Sequence, residues 1–155
     1  MLHFVSLDTR KRVPFMWALC ALEHSMTFTE NLESLKKHID DNDLRSMRDK
    51  VNFDIEAQVY FLSTDEGGRS TPAIIGYRPN HLVMKNYLTS GLHVYLDQDY
   101  VFPGHIARTG IAFITPEFYP NCLIEGMKIN VQEASHVIGY AKVTKIYNEL
   151  LRKNT

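Results

Sequence analysis

The sequence predicts an α+β chain, mainly β, in which a helical N-terminal segment precedes short antiparallel strands arranged as a closed barrel or a sandwich. Three observations carry this expectation. Apolar residues recur at helical spacing up to about residue 50 and at alternate positions from Phe53 onward. Turn-forming pairs punctuate the second part at Gly67-Gly68, Pro79-Asn80, Ser90-Gly91, Pro103-Gly104 and Pro120-Asn121. At 155 residues and 45% hydrophobic, the chain is long and apolar enough to bury one sizeable core.

The first predicted element is the apolar stretch "VPFMWALCAL", which follows Arg10, Lys11 and Arg12. Proline suits a first helical turn, so a buried helix opening at Val13-Pro14 is expected. The run is shorter than the roughly 20 residues a membrane span needs, and Glu23 and His24 follow it in place of a small-residue cleavage site. Thr27-Phe28-Thr29-Glu30 has capping-box spacing, and Leu32, Leu35 and Ile39 continue a helical stripe with Lys36, Lys37 and Asp40 on the wet side. Asp40, Asp41 and Asp43 mark a break and the acidic start of a further short helix carrying Leu44 and Met47. Residues 1–52 thus form a helical segment expected to pack on the β domain, since Phe15, Trp17, Leu19 and Leu22 require burial.

Residues 53–155 then read as strands. Ile55, Ala57, Val59 and Phe61 alternate with Glu56 and Gln58; Leu92, Val94 and Leu96 alternate with His93 and Tyr95; Met127, Ile129 and Val131 alternate with Lys128, Asn130 and Gln132. Each is expected to bury one face. The last residues, "YNELLRKNT", are expected to form a short terminal helix.

Charge and cysteine content narrow the partners. With 17 Lys+Arg against 18 Asp+Glu the net charge is -1, which lacks the positive field that gathers proteins onto nucleic acid or anionic membrane. Cys20 and Cys122 both lie in apolar context and are expected to be reduced, buried thiols, as suits a cytoplasmic protein with no membrane attachment.

Catalytic constellations are weak. Asp65-Glu66-Gly67-Gly68-Arg69 lacks the lysine and following helix of a phosphate loop, so a hairpin turn using positive φ explains it. Histidines at 3, 24, 38, 81, 93, 105 and 136 lack the close spacing that aims two imidazoles at one metal. In Glu133-Ala134-Ser135-His136 the hydroxyl and imidazole are adjacent and point apart in extended chain, which predicts a strand-connecting turn. Asp97 and Asp99, flanking Gln98, read as a solvated turn. The expectation is a non-enzyme with no catalytic residue, no cofactor and no metal.

One resemblance organises the rest. Glu56-Ala57-Gln58-Val59-Tyr60, Leu62-Ser63-Thr64-Asp65-Glu66-Gly67-Gly68-Arg69, Thr71-Pro72, Gly76-Tyr77-Arg78-Pro79, Phe102-Pro103-Gly104, Ile114-Thr115-Pro116 and the stretch from Gly126 to Val143 stand in the order of a known domain. Residues 53 to about 146 resemble the C-terminal β-barrel, the third domain, of bacterial elongation factor Tu. The resemblance implies a six-stranded antiparallel barrel. It implies no GTPase activity, because nothing in the chain resembles the nucleotide-binding domain.

The departures carry the functional expectation. Where the family has an Arg-Glu-Gly-Gly-Arg run on the aminoacyl-tRNA face, this chain has Gln132-Glu133-Ala134-Ser135-His136. Losing arginines removes phosphate partners. Asn80, Thr89 and Glu133 remain as residual tRNA-face candidates. The Gly67-Gly68-Arg69 turn and Asn130 fall where the family meets its GTPase domain, and are the protein-docking candidates. The expected function is therefore a non-catalytic protein-binding module that imitates part of the factor and engages a protein recognising it, as competitor, decoy or toxin-immunity-like protein. The partner is expected to be a toxin or a translation-related factor. The alternative is a translation-associated accessory that binds tRNA. A rival explanation of the turn is that its glycines serve only the backbone of the barrel.

Overall fold

A computed structural model describes Glu33 and residues 41–154, and the chain divides into two units, 1–40 and 41–155. The expected helix at Val13-Pro14, the capping box at 27–30, the stripe Leu32, Leu35 and Ile39, and Cys20 lie outside the described residues.

The second unit is a closed barrel of six antiparallel strands. In chain order the strands are β1 (Ile55–Phe61), β2 (Ala73–Ile74), β3 (Asn80–Met84), β4 (Tyr87–Tyr95), β5 (Tyr100–Val101), β6 (Ile106–Phe113), β7 (Lys128–Glu133) and β8 (His136–Ile146). The barrel runs β1-β6-β4-β3-β7-β8 and closes through β8 onto β1, while β2 and β5 pair as a separate ribbon. Closure leaves the barrel without a free edge.

Alternation places the β1 side chains as the sequence expects: Ile55, Ala57, Val59 and Phe61 are buried. They meet Ala107, Ile111 and Phe113 of β6, Ile129 and Val131 of β7, and Ile138, Ala141 and Val143 of β8 in one continuous core. The expectation for β4 needs correction. His93 and Tyr95, assigned to a wet face, are fully buried, and Leu92 and Val94 on the other face are buried too. Both faces are covered because a helix, α1 (Asp41–Lys50), packs against β4 and the Phe53 ring lies on Gly110, the cross-strand partner of Val94. Leu44, Met47 and Val51 pack on the same core, as the helical pattern of that segment anticipates. Arg48 fastens α1 by donating to the Tyr95 and Gln98 carbonyls and to Asp99, so the Asp97–Asp99 turn is a helix anchor rather than a purely solvated turn.

Ser90-Gly91 was expected to be a turn and instead lies inside β4. A Cβ at Gly91 would stand 2.8 Å from both the His81 ring and Ile111, so this glycine makes room for an inward side chain. The actual β3–β4 turn is at Lys85-Asn86, with Asn86 at φ 65. Among the described residues no helix is long and apolar enough to cross a membrane. Cys122 is a free, buried thiol. The C-terminal segment forms a single 3-10 turn, Glu149–Leu151, that buries Leu151 and bridges back to Leu123 through Arg152.

Asp54 ties the barrel mouth shut. Its carboxylate accepts from the Phe113 amide at 2.7 Å and from the Asn148 side-chain amide at 2.7 Å, while its carbonyl accepts from the amides of Tyr147 and Asn148. Asp54→Ala is expected to cost about 3 kcal/mol in urea unfolding, because two charge-assisted bonds to half-buried donors are lost together.

Candidate docking surface

Strand registers define two ends. β1 finishes beside the start of β6, β4 finishes beside Thr109, and Glu133 pairs with His136 where β7 turns into β8. The loops at 62–72 and 96–105 and the 134–135 turn therefore share one end, here the upper end. The Lys85-Asn86 turn, the 114–127 crossover and the C-terminal residues occupy the lower end.

The loop after β1 is built by short-range hydrogen bonds. Glu66 Oε2 accepts from the Tyr60 hydroxyl at 2.6 Å and from the Ser63 amide and hydroxyl, each at 2.9 Å. The Tyr60 hydroxyl is the first cause holding the Glu66 carboxyl below its usual range. Gly67 takes φ +85, and the Gly68 amide donates to the Ser63 carbonyl at 2.8 Å. A Cβ on Gly68 would lie 1.9 Å from the Leu62 carbonyl oxygen. Both glycines are thus required by the loop's own backbone, and their presence is no independent sign of a partner.

Arg69 is different. Its guanidinium sits 4.5 Å from the centre of the Tyr77 ring, donates to the Tyr77 hydroxyl at 2.9 Å, and pairs with the Glu133 carboxylate. It also donates to the Thr71 hydroxyl at 3.3 Å. The Tyr77 hydroxyl in turn donates to Glu133 Oε1 at 2.5 Å, and burial, then the Glu133 carboxylate, raises the phenol's pKa. A second clip lies alongside: His136 Nε2–H donates to the Gly67 carbonyl at 2.6 Å. The structure therefore joins two groups that sequence reasoning kept apart, the docking candidates Gly67, Gly68 and Arg69 and the tRNA-face candidate Glu133.

The other candidates lie elsewhere. Asn130 is half-buried on β7 opposite Tyr140, three residues from Glu133 and so about 10 Å along the strand. Asn80 opens β3 between Ser90 and Gln132, near the upper end but half-buried. Thr89 is 4% exposed, and its hydroxyl lies 2.9 Å from the Tyr119 hydroxyl and 3.2 Å from the Ile114 carbonyl. A side chain so enclosed cannot contact a phosphate backbone without unpacking Tyr119, so its role is internal. The Ala134-Ser135 segment is a strand-connecting turn, as expected, with Ala134 at φ 51.

Two features escaped the sequence reading. His81 and His93, twelve residues apart, face one another inside the barrel with Nε2 atoms 2.8 Å apart. This corrects the expectation of scattered histidines: His81 is opposite Thr89 in the β3–β4 register, and Gly91, two residues before His93, leaves the interior space into which the His81 ring reaches. Burial pushes both toward the neutral form, His81 down to about 4. Among the described residues no group of three or more His, Cys, Asp or Glu side chains is arranged to hold a metal. The second feature is that Met84, Leu88, Ile114, Phe118, Ile124 and Leu150, on segments of the lower end, are exposed large apolar side chains. No protein-family model matches the chain.

The Arg69–Glu133 pair is half-exposed, with side-chain exposures of 20% and 48%. A double-mutant cycle of Arg69→Ala and Glu133→Ala is expected to give a coupling of about 1 kcal/mol in unfolding, the upper range for a partly solvated pair. Zero coupling would mean that the Arg69–Glu133 pair does not help to join the two turns, leaving His136–Gly67 as the link.

Proposed function

We propose that the chain is a non-catalytic protein-binding module resembling the third domain of elongation factor Tu, which engages a protein that recognises the factor, as competitor, decoy or toxin-immunity-like protein. The observation that carries this reading is the Arg69–Tyr77–Glu133 cluster. It fixes two turns into one surface, and a preordered surface loses little side-chain freedom when a partner docks. The barrel interior holds one continuous cluster of its own buried side chains, which supports a role for the outer surface. The six-stranded closed barrel is what the resemblance implies and supports the reading at the level of architecture.

The tRNA alternative is weaker on physical grounds. Glu133 is already neutralised by Arg69, Thr89 is enclosed, and the net charge is -1. A phosphate-binding surface needs unpaired cations, and its affinity falls steeply with salt. Gel shifts with charged and uncharged tRNA at two salt concentrations are expected to show no retardation at physiological salt. Tight, salt-sensitive retardation would favour the alternative instead.

A further inference from the structure

The His81–His93 pair has no part in the docking proposal, yet it is wired to that surface. Both rings are fully buried, and Gly91 is what admits the His81 ring. In a neutral pair one imidazole donates its Nε2–H to the Nε2 lone pair of the other. The donor ring then keeps a bare Nδ1 and the acceptor ring carries Nδ1–H; neither Nδ1 has a hydrogen-bond partner among the described residues. A proton arriving from solvent has one place to go, the bare Nδ1, and it leaves a cation in an aromatic core.

The surroundings offer that cation no ionised partner, only the backbone carbonyls of Thr89 and Pro79 beside His81, and burial outweighs them. Phe61 of β1, Phe113 of β6, and Tyr95 of β4 ring the pair, and Val131 of β7 lies opposite His81. Tyr77 stands edge-on to His93 at 6.1 Å, and its phenol is neutral, as is that of Tyr95. Beyond Tyr77, Arg69 and Glu133 offset one another's charge. The connection outward is direct: the His93 amide donates to the Tyr77 carbonyl at 2.8 Å, and the Tyr77 hydroxyl binds both Arg69 and Glu133.

We propose that the His81–His93 pair is an acid-sensitive catch for the upper-end surface: one added proton displaces His93, frees Tyr77, and releases the Arg69–Glu133 link that joins the two turns. The inference rests on the docking reading for its biological meaning, but its physical content needs no partner. Opening hydrates the imidazoles, so it becomes more favourable by about tenfold per pH unit for each histidine that gains a proton.

Native-state hydrogen exchange between pH 7 and 5, corrected for the intrinsic pH dependence of amide exchange, tests it. The amides of Gly68 and His93 are expected to lose protection by a factor that approaches tenfold per pH unit for each proton taken up below about 6.5, and to open before those of Cys122 and Leu123 at the lower end. In His81→Gln/His93→Gln, which keeps two polar side chains but takes no proton, the upper-end protection is expected to be independent of pH. Upper-end amides that open only together with the lower end, or an upper-end loss that persists in His81→Gln/His93→Gln, overturns the catch. Should that variant not fold, nitrogen NMR of the wild-type imidazoles decides: the pair must titrate in the window where the upper-end amides open, and rings that stay neutral throughout it refute the proposal. Because no partner enters these measurements, their failure is distinct from failure of the docking reading, which Arg69→Glu binding experiments address.

Discussion

Gly68→Ala will destabilise the barrel by about 3 kcal/mol or more, whereas Gly67→Ala, one residue earlier, will cost about 1–2 kcal/mol. The two glycines serve different ends. Gly67 takes φ +85 with open space around it, the nearest atom to an added Cβ being the His136 ring at 3.9 Å, so only the left-handed backbone is penalised. At Gly68 the added carbon would sit 1.9 Å from the Leu62 carbonyl oxygen and 2.8 Å from that of Ser63. Both are backbone atoms held by hydrogen bonds: Ser63 accepts from Gly68, and the Leu62 amide donates to Ile138 of β8. The loop must therefore tear away from the barrel to make room. Urea unfolding of the two variants reads the difference directly. A Gly68→Ala protein as stable as wild type would mean that the glycine pair serves a partner rather than the fold.

The second large effect is acid lability. His81 and His93 are less basic in the folded protein than in the unfolded chain because burial disfavours the charged form. The folded state then binds fewer protons than the unfolded state below about pH 6.5, and stability rises with pH there. Their contribution is fully present above about 6.5 and is lost as the pH falls toward 4. The slope approaches about 1.4 kcal/mol per pH unit for each histidine, or about 2.7 for the pair. Carboxylates with lowered values, such as Glu56 and Glu149, act in the same direction but below their free value of 4.5, so the interval from 6.5 to 5 isolates the imidazoles. Urea midpoints at pH 7.5, 6 and 5 are expected to fall steeply in wild type and to stay nearly level in a His81→Gln/His93→Gln protein. A level wild-type profile would contradict the buried neutral pair.

Much of the barrel was legible because period-two alternation reports burial directly wherever one face is wet. β1 shows it throughout, with Ile55, Ala57 and Val59 inside; β7 shows it at Ile129 and Val131 but not at Gln132, expected on the wet side and buried where the β7–β8 register shifts. Legibility ended where a second layer covers the sheet. On β4 both faces are dry, so His93 and Tyr95 look like surface residues in sequence and are core residues in fact. The Ser90-Gly91 pair misled for a related reason: a glycine that clears space for His81 reads the same as a glycine that turns the chain. Side-chain pairings across strands were invisible. Arg69 and Glu133 are 64 positions apart, and only the closure of the barrel brings them together. The lower-end apolar side chains, drawn from a hairpin, a crossover and the C-terminal turn, share no local pattern that a sequence window could detect.

Capture of binding partners by the immobilised full chain tests the central claim most directly, with three forms of the bait compared: wild type, Arg69→Glu at the upper end, and Phe118→Glu at the lower end as the control for a distant surface. One protein is expected in stoichiometric amount on wild type and on Phe118→Glu, and purified binding of that protein is expected to weaken at least tenfold on Arg69→Glu. Equal binding to all three baits, or recovery of RNA without protein, would contradict the account.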